Sequence, residues 1–171
     1  TINDWHTCAD EEPIFATNPC SEYVFLDETA CNLGSFNLAK FEHMGVFQSA
    51  KFCRVARAVT IAMEVLVSNS KYPTDNFATM SDRYRTLGVG FANLGGLLMR
   101  LGIPYDSDEG RQIASVISSL MTSRVYKTSA EIANELGAFP AYEKNKKSVL
   151  RVLMKHAGQT ALTNLTASTK S

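Results

Sequence analysis

From Ser49 onward the apolar residues fall at helical spacing. Phe52, Val55, Ala56, Val59, Ala62, Met63 and Leu66 recur at i, i+3 and i+4, a stripe that a strand would split between two faces and a helix gathers onto one. The spacing predicts an amphipathic helix from Ser49 that stops near Asn69, with Pro73 just beyond. Residues 1–48 have no such period. Trp5, Phe15, Tyr23, Phe25, Phe36, Phe41 and Phe47 are scattered among Asn, Thr, Pro and Gly, the texture of strand and loop. Tyr23 to Leu26 and Leu33 to Leu38 read as extended segments. Asn18 precedes Pro19, whose ring clashes with a helical predecessor, so residues 18–22 are expected to form a turn or loop tip. An extended first third feeding a helical remainder is an α/β pattern, suited to part of a layered or barrel domain whose few strands need partners.

Downstream, the expected elements are helices. Ser81 to Gly102 reads as a buried helix through Leu87-Gly88-Val89-Gly90 and Phe91 to Met99, its glycines implying close backbone packing. Asp106 or Ser107 caps the next helix, with Glu109 placed as in a capping box. Its apolar face is Ile113, Val116, Ile117, Leu120 and Met121, and the pattern runs through Ala130, Ala133 and Leu136 to a stop at Gly137. Glu143 to His156 forms a last short helix, and residues 158–171 are expected to be a ragged tail. No internal repeat or long linker divides the chain, so 1–171 reads as part of one domain.

Charge and composition narrow the function classes. Seventeen Lys and Arg balance seventeen Asp and Glu, so no global field draws the chain to nucleic acid or an anionic membrane. No apolar run is long enough for a membrane span. The start, Thr1 to His6, lacks the basic flank and apolar region of a secretion signal and an initiator Met, and reads as an internal piece of a longer chain. Four cysteines, none spaced C-x-x-C, are too sparse for a disulfide scaffold. The expected location is a reducing cytoplasm.

The segment most able to carry chemistry is Asn18-Pro19-Cys20-Ser21-Glu22. In an extended tip alternate side chains share a face, so an amide, a thiol and a carboxylate would meet one ligand together. Cys31 follows eleven residues on, where a returning extended run can bring it near. From the residues alone two readings stay open, since a Cys in an apolar chain is often a small buried hydrophobe and Asn-Pro an ordinary turn. Other patterns carry less. His6, Cys8, Cys20 and Cys31 match no standard zinc spacing. Gly88 to Gly95 is one residue too long for a dinucleotide fingerprint. Cys53 reads as core, His43 and His156 as structural or exposed, and Cys8 has no assignable role. The Thr166 to Thr169 hydroxyls suit a frayed end better than a phosphate cradle.

Asn18-Pro19-Cys20-Ser21-Glu22-Tyr23, preceded by Trp5-His6-Thr7-Cys8 and followed by Ala30-Cys31-Asn32-Leu33, closely resembles the catalytic domain of adenosylcobalamin-dependent (class II) ribonucleotide reductases. Leu87 to Gly95, Tyr105 to Gly110, Glu135 to Pro140, and Arg151-Val152-Leu153 with His156 fit the same family, so the resemblance covers roughly residues 1–156. It implies a fragment of a ten-stranded α/β barrel with a finger loop, helix-rich after residue 49. By resemblance, Cys20 is the thiyl-radical cysteine that removes the 3′ hydrogen, and Glu22 binds the ribose hydroxyls and acts as base. Asn18 hydrogen-bonds the ribose, and Ser21 lies among the substrate-binding residues. Cys31 is one of two thiols that reduce the 2′ position, its partner lying outside this chain. Adenosylcobalamin is the implied cofactor. Implied partners are a ribonucleoside di- or triphosphate, a thioredoxin-like or dithiol reductant and nucleotide effectors of the full-length protein; a homodimer stays open.

Pro19 and the short interval to Cys31 separate this pattern from the diiron-dependent class, and Glu22 from the glycyl-radical class. The expected activity is reduction of ribonucleotides by the parent chain, with the isolated fragment inactive. Two rivals are a diiron-dependent reductase large subunit with an atypical loop, and a noncatalytic nucleotide-binding relative.

Overall fold

In the computed structural model, which describes residues 1–168 and side chains through Gln159, the apolar stripe becomes helix α1, Ser49–Asn69. Phe52, Ala56, Thr60, Met63 and Val67 form its buried line, spaced three or four residues apart as one helix face requires. Thr60 is tolerated there because its hydroxyl donates to the Ala56 carbonyl at 2.8 Å, leaving no orphan donor. Phe52 is fully buried and meets Phe36 and Phe41 edge-on at ring-centre distances of 5.2 and 5.1 Å. Ala56, Leu97, Ile117 and Met121 complete this main core with Leu38. Burying a ring the size of Phe52 contributes about 1.5–3 kcal/mol.

Strand β1, Asn32–Asn37, runs parallel to a strand the glycine-rich pattern did not predict. Leu87 to Ala92 is extended, with Asn32 opposite Leu87 and Asn37 opposite Ala92. The expected helix over Ser81 to Gly102 is therefore two shorter elements: this strand and the helix Leu94–Arg100. Glycines weaken a helix and a strand alike, so residues 87–92 carry little local preference, and the ladder with β1 decides their state. The expected close packing holds, however: a Cβ on Gly88 would stand 2.5 Å from Leu33 Cδ2.

Between the paired strands the chain makes a short hairpin, β2 (Glu42–His43) and β3 (Val46–Phe47). Met44 and Gly45 turn it at φ 51° and 78°, the two positive angles a two-residue hairpin loop needs. The parallel strand over Leu87–Ala92 is thus β4 in chain order. Helix α2, Asp75–Tyr84, precedes it and was not anticipated, although Thr74 caps it by accepting the Phe77 N–H at 3.3 Å. Helix α3 is Leu94–Arg100, α4 is Asp108–Leu136 and α5 is Tyr142–Ser168.

Ser107, rather than Asp106, caps α4 by accepting the Gly110 N–H at 3.0 Å. The helix stops at Gly137, whose φ is 89°, an angle that favours glycine. Helix α5 runs past His156 through Ser168, so the expected tail is helical that far; with no proline to stop it, an established helix extends at little cost. Residues 169–171, the end of that expected tail, lie outside the described residues.

The first thirty-one residues contain no strand; the expected extended run Tyr23 to Leu26 instead bends at Phe25 and joins no sheet. They are held instead by a second core of Cys8, Leu26, Tyr84 and Ala141. The buried His6 ring lies edge-on to Phe25 at 5.3 Å. Glu11 reaches Arg83 and Lys144 at 3.1 and 2.6 Å, and Asp10 accepts from Ser148 at 2.7 Å, joining this segment to α2 and α5. Among the described residues the sheets are two pairs of strands and no closed barrel, so the fold is α/β and helix-rich after residue 49. Leu33, on the open face of β1, is 67% exposed. Among the described residues no helix is long and apolar enough to cross a membrane.

Candidate functional site

Residues 18–23 form a closed loop. The Ser21 N–H donates to the Asn18 carbonyl at 3.0 Å, a turn with Pro19 at its first central position, where its fixed φ is an advantage. Ser21 sits at φ 61°, unusual for a residue with a side chain, and reverses the chain directly after Cys20. The Asn18 N–H donates to the Tyr23 carbonyl at 3.2 Å, and the Tyr23 N–H donates to Asn18 Oδ1 at 3.0 Å. Asn18 thus closes the loop with both backbone and side chain, leaving Nδ2 as the amide end able to meet a ligand. Thr17 Oγ1 donates to the Asn18 carbonyl at 2.8 Å and lies 3.3 Å from Ser21 Oγ.

This closure presents the chemistry outward. Cys20, Ser21 and Glu22 are exposed and Asn18 is half-buried. The Cys20 thiol is free and stands at the tip of the turn, where a reacting partner can reach it.

Cys31 lies one residue before β1, half-buried, and its thiol donates to the Asn32 carbonyl at 3.3 Å. Burial pushes the thiol up to about 11, and the Glu22 carboxylate adds to the rise. Two of the residues singled out in the sequence are therefore within electrostatic reach of each other, although the first belongs to the loop and the second to the strand entrance. A thiol held protonated is a hydrogen donor more than a nucleophile, since nucleophilic attack needs the thiolate.

Tyr23 joins the two parts. Its hydroxyl is 2.7 Å from Thr29 Oγ1 and 2.9 Å from Thr86 Oγ1, and Thr86 donates to the Ala30 carbonyl at 2.9 Å. Burial raises the Tyr23 phenol, opposed by the two threonine hydrogen bonds and reinforced by nearby Cys31 and Cys8. Gly88, opposite Leu33 in the ladder, completes the wall: a Cβ there would stand 2.8 Å from Cys31 Sγ. Sequence reasoning missed Tyr23, Thr86 and Gly88 as parts of this site. The alternation of Gly88 and Gly90 was a legible hint of a strand, whereas nothing local marks Thr86.

The remaining candidates fall elsewhere. Cys8 is buried in the second core, and burial pushes its thiol up to about 11. Cys53 is half-buried on α1 and His43 exposed. His156 stacks near Trp5 and Tyr126 at 5.1 and 5.7 Å. Among the described residues no three His, Cys, Asp or Glu side chains converge as metal ligands.

The sequence matches the family described as ribonucleotide reductase, barrel domain, over residues 1–167. It is 51% identical over 158 residues to the vitamin B12-dependent ribonucleotide reductase of Agrobacterium fabrum, covering 91% of this chain and 12% of that protein. The protein of the same name from Bradyrhizobium diazoefficiens is 49% identical over 158 residues, covering 91% of this chain and 13% of the relative. That from Streptomyces coelicolor is 43% identical over 166 residues, with 94% and 17% covered. The chain therefore spans only about an eighth of the length of the first two of these curated relatives.

Proposed function

The chain belongs to the ribonucleotide reductase barrel-domain family, and on that premise we propose that it carries the radical-bearing loop of a cobalamin-dependent enzyme that converts ribonucleotides to deoxyribonucleotides. The observation that carries this reading is the exposed Cys20 thiol at the tip of a loop closed by Asn18, with Glu22 beside it and the Glu22 charge felt at Cys31. The B12 dependence in the names of the relatives supports the cofactor.

The donor set fits that cofactor as a reactant rather than as a ligand. This chain offers an exposed S–H at Cys20 and no convergent metal-ligand cluster among its described residues. When bound, the cobalamin supplies a radical by homolysis of its cobalt–carbon bond. Cys20 Sγ would be the atom of this chain that yields its hydrogen atom to that radical and then holds the unpaired electron. A thiol suits the task because its S–H bond is weak enough to exchange hydrogen with carbon reversibly, which a serine O–H is not.

Cys20 takes the 3′ hydrogen of the substrate ribose and later returns it. Glu22 accepts the proton of the 3′ hydroxyl while the 2′ hydroxyl, protonated by a reducing thiol, leaves as water, and Glu22 later returns its proton to the 3′ oxygen, general-base help worth about 10²–10⁴ in rate. Asn18 Nδ2 donates to the ribose, and Ser21 lines the same exposed turn. Cys31 and a partner thiol beyond this chain supply two electrons and two protons to the 2′ position and end as a disulfide. A thioredoxin-like or dithiol reductant restores them by thiol exchange. Nucleotide effectors act on the full-length protein, a homodimer stays open, and turnover needs the second thiol that pairs with Cys31.

The test is deoxyribonucleotide formation by the intact protein that carries this sequence, with a dithiol reductant and no second subunit. Product is expected with adenosylcobalamin, absent without it, and lost in Cys20→Ala. Product that instead requires a radical-generating subunit returns the protein to the diiron-dependent class. Full activity in Cys20→Ala removes the radical role altogether.

A further inference from the structure

We propose that the Tyr23 hydroxyl is a positioning group that pins the Cys20 loop to the strand entrance carrying Cys31, so that one phenol sets the spacing between the two thiols and Glu22. This rests on the reading that Cys20, Glu22 and Cys31 serve one reaction.

The geometry is specific. Tyr23 is bound to the loop at its backbone, with both its N–H and its carbonyl engaged by Asn18. Its side chain leaves the loop and ends between Thr29 and Thr86. Thr86 lies one residue before β4 and donates to Ala30, the residue before Cys31. The path from Tyr23 through Thr86 to Ala30 is therefore a short chain of hydrogen bonds that bypasses the backbone of residues 24–29. Thr29 and Thr86 each donate to a backbone carbonyl, of Leu26 and Ala30, so the single phenol proton is shared between the two threonine oxygens. Phenylalanine would keep the ring's packing beside Phe25, 6.2 Å away, and lose only the bridge. A loop without regular pairing is the kind of segment that opens locally, and a misplacement of about 1 Å between reacting groups can lower a rate on the order of a hundredfold. The bridge thus has a catalytic consequence although Tyr23 touches no reacting atom.

The experiment reads the spacing directly, through the charge that Glu22 places on Cys31. Cys31 in the reduced, intact protein is alkylated with iodoacetamide at about pH 8.5, near the ordinary thiol value, and its rate is followed by peptide mass spectrometry. The charge that bears on this thiol is that of Glu22 from the loop; the Tyr23 phenol beside it, raised by burial, stays neutral at that pH. Glu22→Gln is nearly isosteric and removes the charge, so it is expected to raise the Cys31 rate when Tyr23 is present. In Tyr23→Phe the loop is released and Glu22→Gln is expected to change the rate little. Thr86→Val cuts the same bridge from the strand side and should abolish the Glu22 effect, while Thr86→Ser should retain it; these variants decide the matter if Tyr23→Phe does not fold. An equal effect of Glu22→Gln with and without the bridge overturns the proposal. The cycle reads geometry in the absence of turnover, so an intact protein that makes no deoxyribonucleotide sinks the functional reading, and a missing coupling sinks this one.

Discussion

A Cβ on Gly88 would stand 2.8 Å from Cys31 Sγ, so the thiol occupies the space that any other residue at position 88 would fill. The same added atom would lie 3.2 Å from the Asn32 carbonyl oxygen and 2.5 Å from Leu33 Cδ2. The Leu33 side chain is exposed and can swing away, but the thiol is held by its bond to Asn32. Gly88→Ala is expected to cost about 1–3 kcal/mol, as overpacking does, read as a lower urea midpoint. Reduction at 2′ should fall further than the stability loss explains, because the displaced atom is the proposed reductant.

Asn18 has two jobs that one pair of variants separates. Asn18→Asp keeps the oxygen that accepts the Tyr23 N–H and removes the Nδ2 donor. It should leave the unfolding midpoint nearly unchanged and raise KM for the nucleotide. Asn18→Ala removes both, and should also loosen the loop by about 1 kcal/mol, the usual worth of one such hydrogen bond. Hydrogen exchange at the Tyr23 amide distinguishes them: protected in the first, fast in the second.

The cysteines divide by position. Cys20→Ser is expected to abolish turnover, and Cys31→Ser to abolish multiple turnover with a thioredoxin-like reductant. Cys53→Ser, half-buried on α1, should leave kcat within about twofold while costing about 1 kcal/mol of stability. Normal multiple turnover in Cys31→Ser would remove Cys31 from the reducing pair.

Stability should fall in alkali through Cys8. Its thiol is 1% exposed, and burial lifts it from an ordinary 9.0 to about 11. The folded chain therefore keeps a proton that the unfolded chain has lost. The contribution is full below about pH 9 and disappears as pH rises through about 11, a loss on the order of 2–3 kcal/mol at about 1.4 kcal/mol per unit. Cys8→Ala should flatten that limb of a denaturation series under reducing conditions. Cys31 shifts in the same direction and to the same value of about 11, so it acts on the same limb, and Cys8→Ala removes only the part that belongs to Cys8.

What the sequence determined by itself was what short-range physics decides. The stripe from Phe52 to Leu66 needs only a 3.6-residue period to become α1, Ser107 and Gly137 start and stop α4 by local capping, and Pro19 turns the loop around Cys20. The candidate side chains were legible for the same reason, since Asn18, Cys20 and Glu22 share one short segment, while their proposed roles came from the resemblance.

Tertiary structure decided what depends on distant partners. Leu87 to Ala92 carries glycines that leave its local preference weak, and it became a strand because β1, more than fifty residues earlier, offers a parallel ladder in register. The reach of the Glu22 charge to Cys31, the seat of that thiol over Gly88, and the Tyr23 bridge to Thr86 all join residues that no period or motif connects. Hydrogen bonds and packing across such separations form only once the chain has closed the loops between them, so this part of the site exists in the fold and not in any segment of it.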